Sequence, residues 1–262
     1  MKEYLLYGDT LSDAYHRALT TLHYCGDITD CADWNTRQKE LAMTMVIQYP
    51  LREPMISKCF IGGPEELQQY VMEMLDGILD FEVDKGNWTY TYHQRMTEYP
   101  SREGYLIDQI SFVVNELKRN PSSRRAVMFI RSVDDIGSDD PACLQHIQYF
   151  IRNGKLDCSV LFRSNDAAKA TFMNAFALIM LQKRIADELG IKVGTYTHRA
   201  NSFHCYEKDW ELLHGYAWRI DNAEDKEDIT YEYDGDWKDF MDEAIPEIME
   251  KVETLKNNDK NP

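Results

Sequence analysis

Residues 141–166 read PACLQHIQYFIRNGKLDCSVLFRSND, and this stretch decides the expected fold. Asn153 and Gly154 divide it near the middle. An Asn-Gly pair between two runs rich in apolar residues is a strong signal for a tight β-hairpin. The sequence therefore predicts two antiparallel strands, over residues 145–152 and 156–163.

Further helices and strands are predicted on both sides of this hairpin. Apolar spacing predicts helices over 64–80, 105–118, 172–189 and 237–257, and shorter apolar runs predict strands over 126–131 and 192–204. Gly190 suits the end of the third helix, and Pro246 should kink or divide the fourth. Helices that cover a mixed or antiparallel sheet place the chain in the α+β class, as a single domain.

Composition and charge exclude several classes of protein. The chain has 262 residues, 44% of them hydrophobic, which suits one large core. Its net charge of −16 argues against a nucleic-acid partner. No apolar run approaches the ~18 residues of a membrane span, and the first residues lack the pattern of a signal peptide. We therefore expect a cytoplasmic protein with no membrane partner.

The charge is concentrated near the C-terminus. Residues 221–262 carry 15 acidic and 5 basic side chains, whereas the first 220 residues are closer to neutral. We expect residues 1–220 to form the main body of the domain and residues 221–262 to form an acidic helical extension of the same domain. The six cysteines contain no Cys-x-x-Cys pair and match no common zinc spacing, so reduced thiols and no metal site are expected.

Several residues could carry chemistry, although each has an ordinary structural reading. Cys143 follows a turn and precedes a strand, where a lone cysteine is usually a core residue. Residues 163–166 would by themselves be a turn with a helix cap. Arg124-Arg125 suits either solvent or an anion. No glycine-rich phosphate loop is present, so arginines would have to hold any phosphate.

The order and spacing of these residues are more specific than any one of them. Residues 121–206 resemble the thymidylate synthase family, and the wording is most similar to its shorter archaeal-type branch. The matching elements are Pro121-Ser122-Ser123-Arg124-Arg125, Pro141-Ala142-Cys143, Gly154-Lys155-Leu156, Arg163-Ser164-Asn165-Asp166, Asn174 and His204-Cys205-Tyr206. The resemblance implies that Cys143 is the covalent nucleophile.

The N-terminal third matches the family less closely. Tyr90 aligns with a family tyrosine, Arg37 is the candidate N-terminal phosphate arginine, and Glu66 is chosen as the active-site glutamate, with Glu65 as the alternative. Three features depart from the family pattern. Leu144 stands where most members have His, the tryptophan-rich segment is reduced to Trp88, and the C-terminal LKNNDKNP lacks an apolar character.

The resemblance implies a full set of roles. dUMP is the expected substrate and 5,10-methylenetetrahydrofolate the one-carbon donor. The implied phosphate ligands are Arg37, Arg163 and Ser164, with Arg124 and Arg125 reaching across a homodimer interface. Asn174 reads the base, His204 and Tyr206 contact the sugar, and Asn165 and Asp166 belong to the binding box, with Asp166 meeting the folate. Tyr90 and Glu66 assist proton transfers, and Arg163 favours the thiolate of Cys143.

Three functions remain open at this point. The leading one is thymidylate synthase, which methylates dUMP reductively to dTMP. The second is a hydroxymethylase acting on dUMP or dCMP, in which water completes the reaction. The third is a catalytically silent member that only binds nucleotide. An amide at Asn174 suits uracil, whereas a carboxylate there would suit cytosine.

Overall fold

The computed structural model describes residues 1–258, and side chains up to residue 257. Its helices are α1 Leu11–Cys25, α2 Pro64–Asp76, α3 Phe81–Asp84, α4 Tyr92–Thr97, α5 Gln109–Arg119, α6 Thr171–Leu189, α7 Trp210–Asp221 and α8 Lys238–Asn258. Its strands are β1 Glu3–Gly8, β2 Asp27–Cys31, β3 Thr36–Ile47, β4 Ile56–Ser57, β5 Tyr99–Pro100, β6 Leu106–Ile107, β7 Val127–Phe129, β8 Leu144–Arg152, β9 Lys155–Asp166, β10 Lys192–Tyr206 and β11 Thr230–Tyr231.

One mixed sheet organises the fold. Its strand order is β1-β3-β10-β9-β8-β7, with β2 paired to the outer end of β3. Strand β1 runs parallel to β3 and β10 runs parallel to β9, while the remaining neighbours are antiparallel. This arrangement confirms the α+β class with a mixed sheet and helices around it.

The hairpin at the centre of the sequence forms as expected. Asn153 and Gly154 adopt φ values of 51° and 72°, the left-handed conformation that a tight hairpin turn requires at both positions. Strand β9 then continues three residues beyond its predicted end, because Ser164 pairs with Ser202 and Asp166 pairs with His204 on β10. Residues 163–166 are therefore strand rather than a turn.

The two faces of the sheet differ in burial. Met45, His198, Val160, Ile147 and Met128 are register partners on successive strands, and all are buried. Helices α1 and α6 pack over this face, and the Gln182 side chain of α6 donates to the Leu156 carbonyl at 2.7 Å. The opposite face carries half-exposed and exposed side chains.

Several helix boundaries differ from the sequence prediction. Helix α2 ends four residues early, because Gly77 takes a φ of 63° and a Cβ there would lie 2.2 Å from His93 Nδ1. Helix α5 starts at Gln109 because the Asp108 side chain caps it, accepting from the Ser111 amide at 2.9 Å.

The C-terminal helix is continuous through its proline. Of the two effects expected of Pro246, a kink or a division, the division is wrong, since α8 runs from Lys238 to Asn258 with Pro246 inside it. Ile248 and Val252 of α8 are buried against Met72 of α2 and Leu79, which offsets the backbone hydrogen bond that proline removes. Residues 259–262 of the predicted acidic extension lie outside the described residues. Among residues 1–258, no helix is long and apolar enough to cross a membrane.

Candidate active site

Cys143 lies at the start of β8, at the mouth of the central hairpin. Its carbonyl accepts from the Arg163 amide on β9 at 2.8 Å. The Arg163 guanidinium donates to the carbonyls of Ala142 at 3.2 Å and Pro141 at 2.7 Å. The thiol is half-buried. Arg163 therefore holds the loop that carries Cys143.

The electrostatics of the thiol result from opposing effects. Burial raises the pKa of Cys143 and is the largest influence, the Arg163 guanidinium lowers it, and the Asp140 carboxylate raises it. Arg163 thus acts in the predicted direction, but burial outweighs it. The thiol is consequently neutral at neutral pH, and its ionisation depends on positive charge close to the sulfur.

Three tyrosines surround the thiol. Tyr70 on α2 donates a hydrogen bond to the Asn174 side-chain oxygen on α6. The Tyr92 hydroxyl accepts from the Leu144 amide at 3.4 Å. Burial raises the pKa of Tyr90 to about 12, with a further contribution from Cys143, so its hydroxyl stays protonated at neutral pH. A cavity of about 360 Å³, lined by residues 87–92 with Tyr70 and Asp140, opens beside them.

A second group of side chains lies at the ends of β9 and β10. His204 is buried, with Nδ1 at 3.3 Å from the Ser202 carbonyl and 3.4 Å from Ser164 Oγ. Burial lowers the pKa of His204, and Asp166 opposes this, so the imidazole is neutral. When Nδ1–H donates to the Ser202 carbonyl, Nε2 is an acceptor, and this buried atom has no hydrogen-bond partner among residues 1–257. The Tyr206 ring meets His204 edge-on at 4.7 Å.

Asp166 and Asn165 have different surroundings. One Asp166 oxygen accepts from the amides of Ala168 and Lys169, both at 3.0 Å. Burial raises the pKa of Asp166, while His204 lowers it. Asn165 is buried, and its oxygen accepts from Thr171 Oγ1 at 3.0 Å and contacts His198 Nε2 at 2.8 Å. These contacts hold the Asn165 side chain in place, and its contact with substrate stays a prediction.

The two glutamates considered for the site, Glu65 and Glu66, lie in the first turn of α2. Glu66 is exposed at the first turn of α2, and its carboxylate accepts from the Gly63 amide at 2.8 Å. Glu65 pairs with Lys251 of α8. Tyr70, one turn later on the same side of α2, contacts Asn174, and the role of Glu66 stays a prediction.

The arginines expected to bind phosphate divide into two groups. Arg37 pairs with Glu207 and packs over the Trp210 ring at 5.3 Å, near the end of β10 that carries Tyr206. Arg124 and Arg125 are exposed just before β7. Within residues 1–257, their guanidinium groups make no hydrogen bond or ion pair.

Sequence reasoning missed Tyr70, Tyr92 and Asp140. Tyr70 occupies an apolar position of a predicted helix, where tyrosine reads as an ordinary core residue. Its hydroxyl on a buried helix face was the available signal, since a buried hydroxyl needs a partner.

Comparison with known proteins identifies the family. The sequence profile of thymidylate synthase matches residues 62–241. The chain belongs to the thymidylate synthase family. A Methanocaldococcus jannaschii protein, provisionally named a thymidylate synthase, is 32% identical over 217 residues, covering 79% of this chain and 93% of the relative. Thymidylate synthase from Bacillus licheniformis is 34% identical over 111 residues, covering 42% of this chain and 40% of the relative.

A solved structure supports the same fold. The thermostable thymidylate synthase A from Bacillus subtilis superposes with a TM-score of 0.63 at 19% identity, over 80% of this chain and 84% of that one. The resemblance seen in residues 121–206 is thereby confirmed, and so is the fold class. Membership of the thymidylate synthase family indicates a methyltransferase enzyme, and the family uses methylenetetrahydrofolate as co-substrate.

Proposed function

We propose that this protein is a thymidylate synthase that converts dUMP to dTMP with 5,10-methylenetetrahydrofolate. The observation that carries the proposal is the arrangement around Cys143. A half-buried thiol lies beside the Arg163 guanidinium and close to Tyr70, which contacts Asn174. Tyr70 and Tyr90 line the neighbouring cavity. Thiol, amide and hydroxyl are the groups that covalent activation of a uracil ring requires.

The nucleotide would bind across the ends of β8, β9 and β10. In the tautomer with the proton on Nδ1, His204 Nε2 is a buried acceptor with no partner in the described part of the chain, which suits a sugar hydroxyl as donor. Tyr206 would border the sugar beside it. Arg163, Arg37 and Ser164 would hold the phosphate, with the partner subunit's Arg124 and Arg125 completing the site. Binding of a phosphate by Arg37 would compete with its present ion pair to Glu207.

Covalent addition divides the reaction into easier steps. The Cys143 thiol would give its proton to water in the cleft. Its sulfur would then add to carbon 6 of uracil as the carbon 5–carbon 6 double bond opens, and the displaced electron pair, shared with the oxygen at position 4, makes carbon 5 nucleophilic. The folate supplies the one-carbon group and the reducing hydride. Asn174 would stabilise the negative charge that develops on the ring oxygen. Because Tyr90 stays protonated, we assign it to relay a proton from carbon 5 through water. Asp166 would face the folate, and the sulfur finally leaves carbon 6.

We infer a homodimer from the uncovered face of the sheet. Leu5, Thr44, Arg199, Leu161, His146 and Phe129 form one row of register partners, and Tyr7, Val46, Thr197, Ser159, Gln148 and Val127 form a second. Leu5, Tyr7 and Phe129 are each more than half exposed. Stacking two such faces about a two-fold axis would bury them reciprocally. Arg124 and Arg125 precede β7 at the edge of this face, a suitable place from which to reach a partner's phosphate.

A complementation experiment tests this dimer. Cys143→Ala and Arg125→Glu subunits should each be inactive alone, and a mixture should regain part of the activity, since one site of each hybrid is intact. Demonstrated subunit exchange without any recovery would contradict a role for Arg125 across the interface.

A cytoplasmic location, expected from the composition, is part of the same proposal.

Product analysis tests the reaction itself. Enzyme, dUMP and methylenetetrahydrofolate should give dTMP and dihydrofolate in equal amounts, followed by absorbance and mass. Cys143→Ala should abolish turnover, whereas Cys25→Ala, at the end of α1, should retain it. Mass spectrometry should place the adduct with 5-fluoro-dUMP on Cys143.

The hydroxymethylase remains the second candidate for a specific reason. Three tyrosine hydroxyls adjoin the thiol and would suit an ordered water near the reacting carbon. Hydroxymethyl-dUMP with regenerated tetrahydrofolate would establish this alternative. Nucleotide binding without any product would instead indicate a silent member of the family.

A further inference from the structure

The contact between Tyr70 and Asn174 joins the two helices that border the cleft. Asn174 is 6% exposed and belongs to α6. The Tyr70 hydroxyl of α2 donates to the Asn174 oxygen, and this is the one hydrogen bond that the hydroxyl makes within the described residues. Helices α2 and α6 pack directly on each other, so the pair is built into a rigid contact.

This contact orients the Asn174 amide. A protonated phenol has one hydrogen to donate, and the amide oxygen is an acceptor while the amide nitrogen is a donor. Burial raises the pKa of Tyr70 far above its ordinary value, which keeps the phenol protonated. Turning the amide by 180° would bring NH₂ toward the hydroxyl, and the phenolic hydrogen would lose its acceptor. The contact therefore favours one orientation.

The orientation of an amide decides which pyrimidine it can read. Uracil presents an N–H donor at position 3 beside a carbonyl acceptor at position 4, whereas cytosine presents a ring-nitrogen acceptor beside an amino donor. An amide matches either base but must turn over to change from one to the other. An amide free to turn would discriminate weakly between them.

We propose that Tyr70 is the positioning residue that makes Asn174 select uracil over cytosine nucleotides. The inference rests on the proposed binding of a pyrimidine nucleotide beside Cys143. With its oxygen held by Tyr70, Asn174 accepts from the uracil N–H through its remaining lone pair and donates to the neighbouring carbonyl. A cytosine nucleotide meets a donor where it needs an acceptor.

The test compares dissociation constants for dUMP and dCMP by titration calorimetry. Tyr70→Phe keeps the ring and removes the hydroxyl, so the preference of the wild type for dUMP should fall about tenfold. Tyr92→Phe is the matched control, because its hydroxyl also lies near Cys143 but contacts the Leu144 amide. Tyr92→Phe should leave the preference within twofold. When Asn174 is already replaced by Ala, adding Tyr70→Phe should not change the preference for dUMP over dCMP any further.

The outcomes separate this inference from the proposed function. A wild type that prefers dUMP, with Tyr70→Phe leaving the preference unchanged, overturns the inference alone. An equal loss in Tyr92→Phe also overturns it, because the effect would then be a general loosening. A wild type that binds neither nucleotide overturns both proposals. If thermal melting shows Tyr70→Phe to be unfolded, Tyr70→Met, which also lacks the donor, carries the same expectation.

Discussion

Removing the charge of Arg163 should make Cys143 less reactive, and the structure gives the direction of the effect. The guanidinium donates to the two carbonyls that directly precede Cys143 in the chain, and it lowers the pKa of the thiol against the effect of burial. In Arg163→Gln, burial and the Asp140 carboxylate would still raise the pKa of Cys143, and the charge that lowers it would be gone. The pKa of Cys143 should therefore rise further.

We take the lower end of the effect of a neighbouring opposite charge, about one pKa unit, because the site is open on one side. At any pH below both pKa values, a one-unit rise reduces the thiolate about tenfold. Alkylation of Cys143 by iodoacetamide should slow by that factor near neutral pH. The rates of the two proteins should converge at a pH above both pKa values.

The measurement is the alkylation rate of Cys143 from about pH 6 to about pH 10, followed by mass spectrometry of the labelled peptide. Cys25 in the same sample provides an internal reference. Arg163→Lys retains a positive charge and should preserve most of the reactivity, which separates charge from loop geometry. Superimposable pH profiles for the wild type and a folded Arg163→Gln would refute this account of the thiol.

Three further predictions concern binding and stability. His204→Phe should weaken dUMP binding about tenfold yet leave a 2′,3′-dideoxy analogue unaffected, and calorimetry showing equal losses would count against the hydroxyl contact. Burial lowers the pKa of His16 to about 4, so unfolding takes up a proton and stability falls as pH drops from its ordinary pKa near 6.5 toward 4. Between about pH 6.5 and about pH 5, the free energy of unfolding measured in urea should fall by about 2 kcal/mol more in the wild type than in His16→Gln. Equal falls in the two proteins would contradict this. Gly77→Ala combines a left-handed φ with a Cβ 2.2 Å from His93 Nδ1, so it should lose more than about 2 kcal/mol of unfolding free energy. Gly190→Ala, also left-handed but with open space around its Cβ, should lose only about 1 kcal/mol, and equal losses would exclude the steric argument.

The elements that sequence predicted best are those specified by local rules. The Asn153-Gly154 turn was identifiable because its backbone needs positive φ at adjacent positions, which these residues adopt at low cost. Helix α6 was identifiable from an apolar run that ends at Gly190. Pro246 shows the limit of a local rule, since packing of α8 against α2 outweighs one missing hydrogen bond.

The candidate site was predictable where its residues are close to the hairpin. Cys143 and Arg163 were correctly expected to adjoin, because a hairpin brings the start of one strand to the end of the next. Residues 163–166 extend β9 because β10 lies alongside to pair with them. That partner strand comes almost forty residues later in the chain, so no local pattern revealed it.

The amino-acid sequence by itself determined the hairpin, the helix-forming segments, the α+β class and the ordered set of motifs that identifies the family. These depend on backbone preferences and spacing along the chain. Only the tertiary structure decided which residues along the same side of a helix contact other site residues. Glu66 and Tyr70 are one helical turn apart on α2, yet Glu66 caps the helix in solvent and Tyr70 contacts Asn174. The residues of α2 that are covered by neighbouring helices depend on its packing against α6 and α8. Both helices are distant from α2 in the sequence, so no local pattern shows these contacts.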